Sequence, residues 1–249
     1  MKIGIITAMP EEFHAVAKSL GTAAAGRLGT YRSGCFRSAG NDVTLMESGM
    51  GFDNAAAAAE TLIRAGQPDL LISTGFCGGI APELQAGDLV VAQQIVLVSV
   101  GGSEELPANF SPLGQAFVAA QAGEGRRIYG GTFVSTSTIT SKNALAEFLS
   151  GRYPCPVVEM ESGAIAAVAA AKSIPLLAIR AVSDTAAEEL TFSLDEFCDA
   201  GMRRIRLANV LLTVLRKPHI IPQLLRLSRS SRRAAASITS ALSALFPPL

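Results

Sequence analysis

Short runs of β-branched and aliphatic residues alternate along most of the chain with alanine- and leucine-rich stretches, and this alternation restricts the fold more than any other feature. Strands are expected at Lys2–Ile6, Val43–Glu47, Leu70–Ser73, Asp88–Val98, Thr132–Ser135, Val157–Met160 and Leu176–Ala181. Helical periodicity lies between several of them, at Glu11–Leu20, Asn54–Ala65, Lys142–Leu149 and Ser162–Ala171. A strand that is apolar at nearly every position must be covered on both faces. The expected fold class is therefore α/β, with a mixed, mostly parallel central sheet flanked by helices. No repeat or low-complexity linker interrupts this pattern, so residues 1–215 read as one domain and residues 216–249 as a basic C-terminal extension.

Composition narrows the function. The 249 residues are 49% hydrophobic and 17% charged, enough apolar surface for a sizeable core and too much for a disordered chain. Cys35, Cys77, Cys155 and Cys198 show neither metal-ligand nor disulfide-framework spacing, which points to a reducing, cytoplasmic setting. With His14 and His219 as the only histidines, a zinc site is not expected. The N-terminal apolar run is too short for a signal peptide, and no stretch approaches membrane-spanning length. The net charge of zero conceals an asymmetry: no acid follows Asp199, whereas nine bases do, which leaves residues 1–199 at a net −9.

In open α/β sheets ligands bind beyond the carboxyl ends of the strands. The junctions there are "TAMPEE", "SGMG", "TGFCGG", "STSTIT", "EMES" and "RAVSD", each polar, glycine-rich or acidic, and together they suggest one shared pocket. In "VVEMESGAIA", Glu159 and Glu161 are two apart, so an extended strand turns both to one side. Arg180, Val182 and Asp184 share a side by the same period. Asp184 would lie near Glu161 if the strands carrying them are neighbours, and clustered acids raise one another's proton affinity, which suits a general acid. Arg180 could offset this by pairing with one of them. Each motif also has a plain structural account. Gly75, Gly78 and Gly79 fit a tight inter-strand loop as well as a close approach to a ligand. Asp53 or Asn54 would cap an ordinary helix. Glu11 and Glu12 suit a helix N-terminus, and an aspartate at a strand end can cap a turn.

Taken in order, these motifs resemble those of the nucleoside phosphorylase superfamily, above all the methylthioadenosine/S-adenosylhomocysteine nucleosidases, over roughly residues 1–200. The resemblance implies cleavage of the N-ribosidic bond of an adenine nucleoside through an oxocarbenium-like transition state. It implies Asp184 as the general acid to the purine, oriented by Ser183, and Glu161 as the ligand of the ribose hydroxyls, with Met160 against the sugar and Glu159 in support. Glu12 would activate the attacking water, Ser48 and Met50 would line the water and ribose side, and Ile139 would lie near the purine. No cofactor is implied, phosphate being a co-substrate only if the enzyme is a phosphorylase. A homo-oligomer, with a dimer favoured, is implied as well. Phe76 and Cys77 depart from the nucleosidase pattern, and Phe76 would stack on the base or narrow the pocket. "TAMPEE" stands where one arginine-bearing phosphate loop of the classical phosphorylases would be, which with Glu12 favours water as nucleophile.

The segment 219–245 has the pattern of a basic amphipathic helix. Leu224, Leu227, Ala234, Ala235, Ile238, Leu242 and Leu245 fall on one arc, and Arg226, Arg229, Arg232 and Arg233 on the other. It either packs on the protein or lies on the inner face of an anionic membrane; nucleic acid fits poorly, because no aromatics interleave with the bases. This tail resembles that of the hopanoid-associated phosphorylases, which implies adenosylhopane as an alternative substrate. A non-catalytic nucleoside-binding module is a further alternative, opposed by the joint presence of Asp184, Glu161 and Glu12.

Overall fold

A computed structural model describes residues 1–22, 24–99, 102–123, 126–137, 141–149, 151–188, 197 and 207–246. Ile139 and Cys198 lie outside the described residues. Among these residues the strands are β1 (Lys2–Thr7), β2 (Ala24–Leu28), β3 (Tyr31–Ser38), β4 (Asn41–Glu47), β5 (Leu70–Gly79), β6 (Leu89–Ser99), β7 (Gly102–Glu105), β8 (Ile128–Thr136), β9 (Val157–Glu159) and β10 (Leu176–Asp184). The helices are α1 (Pro10–Leu20), α2 (Phe52–Gly66), α3 (Leu113–Gly123), α4 (Lys142–Leu149), α5 (Ser162–Ala171), α6 (Leu207–Arg216) and α7 (Ile221–Leu245).

All ten strands form one mixed sheet. β5 runs parallel to β10, β10 antiparallel to β6, β6 parallel to β8 and β8 parallel to β9, and β9 returns antiparallel to β5, so five strands close a ring. From β5 the sheet continues through β1 and β4, both parallel, to β3 and β2. Alternate residues on these strands feed two core layers, as the two-residue period requires. Ile3, Ile5, Ile72, Leu177 and Ile179 meet Phe13 and Val16 of α1 and Ala234, Ile238 and Leu242 of α7. Ile6, Leu71, Leu176 and Ala178 meet Ala58 and Leu62 of α2 and Ile165 and Ala169 of α5.

Three features differ from the sequence reading. The meander β2–β3–β4 was not expected, because "AAGRL" and "YRSGCFRS" carry few β-branched residues. Its signal is a two-residue turn at Ala39–Gly40, both with positive φ, as the primed hairpin turns require. The glycine-rich "TGFCGG" is not a loop: β5 continues through it to Gly79. α2 starts at Phe52, before either expected capping residue, with Gly51 as N-cap. The C-terminal helix does form, and the second half of its apolar arc packs inside the protein: Ala234, Ile238, Ala241 and Leu242 are buried. Hydrogen bonds fix it there, from Thr239 Oγ1 to the Ala15 carbonyl at 2.9 Å and from Ser237 Oγ to the Gly87 carbonyl at 2.7 Å.

Candidate active site

The carboxyl ends of β1 and β9 meet the middle of β5 and β10, where Gly75 pairs with Arg180, and three glutamates gather there around one arginine. Glu12 sits in the first turn of α1, but its side chain turns back onto β1 and β5. Oε2 accepts the N–H of Ala8 at 2.8 Å and of Met9 at 2.9 Å, and Oε1 accepts the N–H of Phe76 at 2.7 Å. The carboxylate therefore ties α1 to the end of β1 and to the middle of β5. It is 1% exposed. Burial raises its proton affinity above the usual carboxylate range, against the opposing pull of Arg180 and the three N–H groups. Gly75 makes this approach possible: a Cβ there would lie 2.6 Å from Glu12 Oε1 and 2.3 Å from Arg180 Nη1.

Arg180 projects from β10 into the centre, 1% exposed. Its Nη2 donates to Glu159 Oε2 at 2.7 Å, to Ser162 Oγ at 3.1 Å and to Glu161 Oε2 at 3.2 Å. It thus pairs with both glutamates of the "EMES" motif, not with one. Burial opposes its charge, but Glu159, Glu161 and Glu12 outweigh this and hold the guanidinium protonated. Glu159 is a structural hub: Oε2 also accepts the N–H of Glu161 at 3.0 Å and of Ser162 at 2.6 Å, and Oε1 accepts the Ser135 hydroxyl. These bonds bind the end of β9 to β8 and to the start of α5.

Glu161 faces the "SGMG" loop, where Oε1 accepts the N–H of Gly51 at 2.9 Å. Its pKa is pushed up to about 7, chiefly by burial, with Arg180 lowering it and the nearby Glu159 and Glu12 charges raising it. A carboxyl that titrates near neutrality can both accept and donate hydrogen bonds, which suits vicinal hydroxyls. Met50, Met160 and Phe76 are half-buried along the same strand ends, whereas the Ser48 hydroxyl is spent on backbone, at 2.7 Å from the Gly49 carbonyl and 3.1 Å from that of Thr7.

Asp184 is held apart from this cluster. The β10–β5 register shifts between Val182 and Asp184, so the two-residue period that grouped Arg180 with Asp184 breaks at Ser183. β5 also separates β9 from β10, which are not the neighbours the sequence suggested. Asp184 Oδ1 accepts the Ser183 hydroxyl at 2.6 Å, and Oδ2 pairs with Lys142 Nζ at 2.6 Å. With Ser183 it lines a cavity of about 130 Å³, whose far wall is Gln223, Arg226, Leu227 and Ser230 of α7. Sequence reasoning passed over Lys142, Ser135 and Ser162. The available signal for Lys142 was a cation in the first turn of a helix, the end that disfavours it.

Residues 2–216 match the family described as the phosphorylase superfamily. The chain belongs to the phosphorylase superfamily. Within that superfamily it is 32% identical over 227 residues to the 5'-methylthioadenosine/S-adenosylhomocysteine nucleosidase of Halalkalibacterium halodurans, covering 86% of this chain and 97% of the relative. It is 31% identical over 224 residues to the enzyme of the same name from Listeria monocytogenes, covering 82% and 95%. Among solved structures, the nucleosidase from S. pneumoniae with a transition-state inhibitor has a TM-score of 0.71 and 25% identity, covering 98% of this chain and 100% of that one. The phosphorylase-superfamily fold thus accounts for the mixed sheet flanked by helices.

Proposed function

We propose that the protein hydrolyses the N-ribosidic bond of an adenine nucleoside, with its catalytic groups all within residues 1–215. The observation that carries this is the convergence of Glu12, Glu159 and Glu161 on Arg180, with Asp184 at the carboxyl end of the same strand, β10. Departure of the base needs a proton, because an adenine anion is a poor leaving group. Asp184, oriented by Ser183, gives it. The ribosyl cation that develops is stabilised by nearby carboxylates, and Glu161 takes the ribose hydroxyls against Met160. Glu12 receives the proton of the attacking water, and burial has already raised its affinity for that proton. Ser48, Met50 and Phe76 border the sugar and base in this reading, and the family resemblance assigns Ile139, outside the described residues, to the purine side. No cofactor is needed, and the nucleosidase names of the relatives support water as nucleophile.

The test is incubation with methylthioadenosine, with and without phosphate, and identification of the products. Free adenine and a free thioribose in both reactions are expected; ribose phosphate formed only with phosphate would overturn hydrolysis. Asp184→Asn should lower turnover by about 10²–10⁴-fold while the chain still folds cooperatively, at a reduced melting temperature because Lys142 loses its charged partner. Near-normal adenine release would remove Asp184 from the role of acid.

Further features belong to this reading. Leu113 and Phe148 are exposed apolar residues that a second copy would cover in a homodimer, which light scattering tests. No helix among the described residues is long and apolar enough to cross a membrane. However, Leu215, Ile221 and Leu225 are exposed beside Arg226 and Arg229, which supports peripheral contact with an anionic inner membrane face. Salt-sensitive sedimentation with anionic vesicles, lost in Arg226→Glu/Arg229→Glu, is expected; unchanged sedimentation would remove the membrane from the picture.

A further inference from the structure

Lys142 opens α4, where the helix dipole presents its positive end, and it is 6% exposed. Both circumstances make an unpartnered cation costly there. Two acceptors compensate: Nζ donates to Asp184 Oδ2 at 2.6 Å and to the Thr185 carbonyl at 2.5 Å. Space for the pair is built into β5, since a Cβ on Gly78 would lie 3.1 Å from Asp184 Oδ2 and 3.2 Å from Lys142 Cδ. A cation at the wrong end of a helix, buried, with a glycine opposite, is a device aimed at one carboxylate.

We propose that Lys142 is a positioning residue for proton donation by Asp184. Lys142 occupies Oδ2, so Oδ1 is the oxygen that carries the transferred proton. Ser183 has one hydroxyl hydrogen and two acceptors, Asp184 Oδ1 at 2.6 Å and the Cys77 carbonyl at 3.2 Å. When the hydroxyl turns to Cys77, Oδ1 is free to hold a proton and Ser183 Oγ can accept from it. As the glycosidic bond breaks, the Oδ1–H bond breaks and an N–H bond forms on the leaving purine. The electron pair stays on the carboxylate, and the Lys142 ammonium stabilises the charge left behind. The other charged groups facing Asp184 are Glu188, in the turn that follows it, and Arg226 on α7, both lining the same cavity. The Cys77 thiol, pushed well up by burial, stays neutral.

This inference rests on Asp184 being the acid. The experiment is Lys142→Gln, which keeps a donor for the Thr185 carbonyl and removes the charge. It is assayed by adenine release across pH, alone and combined with Asp184→Asn. A fall in kcat of about 10–100-fold, a KM within about threefold, and an alkaline limb of kcat/KM moved to higher pH are expected. In the Asp184→Asn background the same change should cost less than about twofold, because two residues acting as one unit are not additive. Equal losses in both backgrounds, or wild-type kcat and pH profile in Lys142→Gln, would overturn the proposal. A wild-type protein that releases no adenine would instead overturn the functional reading beneath it.

Discussion

Replacing Arg180 by methionine tests the electrostatic centre of the site directly. The guanidinium is 1% exposed, bonds two carboxylates through Nη2, and lies close enough to Glu12 to lower its proton affinity. Solvent screening is negligible at that depth. Removing one partner of a buried ion pair costs about 3–5 kcal/mol, because the remaining charge stays buried without compensation. At about 2–4 °C per kcal/mol for a chain of this size, the melting temperature should fall by roughly 6–20 °C. The loss should also depend on pH. Glu161 already titrates at about 7 with Arg180 present, and Arg180 is the main influence lowering it. Without the cation Glu12 and Glu161 hold protons to higher pH still. The folded variant then binds more protons than its unfolded chain, and its deficit shrinks as pH falls. Urea denaturation of wild type and Arg180→Met at about pH 8 and about pH 5.5 reads both effects. A deficit below about 1 kcal/mol, or one equal at the two pH values, would refute the claim that the arginine's task is to neutralise the acids.

The other predictions concern single groups around it. Glu161→Gln should flatten the wild-type pH dependence of stability. A folded-state pKa of about 7 against an ordinary 4.5 means that stability present at low pH is lost as pH rises through that window, by at most about 1.4 kcal/mol per pH unit; thermal melts across that range check it. Glu12→Gln must set an amide NH₂ against a backbone N–H in either orientation, since both oxygens accept one. It should cost about 1–3 kcal/mol and slow hydrolysis more than it weakens binding of an adenine nucleoside analogue, measured by calorimetry. Gly75→Ala places a methyl group 2.3 Å from Arg180 Nη1, and a destabilisation of about 1–3 kcal/mol in urea is expected from the forced shift.

Deleting the C-terminal segment would not isolate membrane contact, because it would also remove part of the core. Ala234, Ile238 and Leu242 of α7 share a core with Ile3 and Ile179. Truncation would strip one face of β10, so charge reversal on the exposed Arg226 and Arg229 is the informative change.

The order of strands and helices, the carboxylate pair of "EMES" and the acids after β1 and β10 were legible in the sequence, because hydrophobic period and charge placement are local properties. So was the amphipathic character of α7. The meander β2–β3 was not legible, because its strands are held by pairing partners and turn geometry more than by residue preference. The division of labour within the site was equally hidden. Nothing local says that Glu12 folds back to bridge the end of β1 and the middle of β5, or that Arg180 serves Glu159 and Glu161 together. The slip of register at Ser183, which delivers Asp184 to Lys142, is just as silent. Those arrangements depend on which strands lie side by side and on where glycine leaves room, so only tertiary packing decides them. Sequence supplies the charges, and burial, by removing the water that would screen them, makes each one answer to its neighbours.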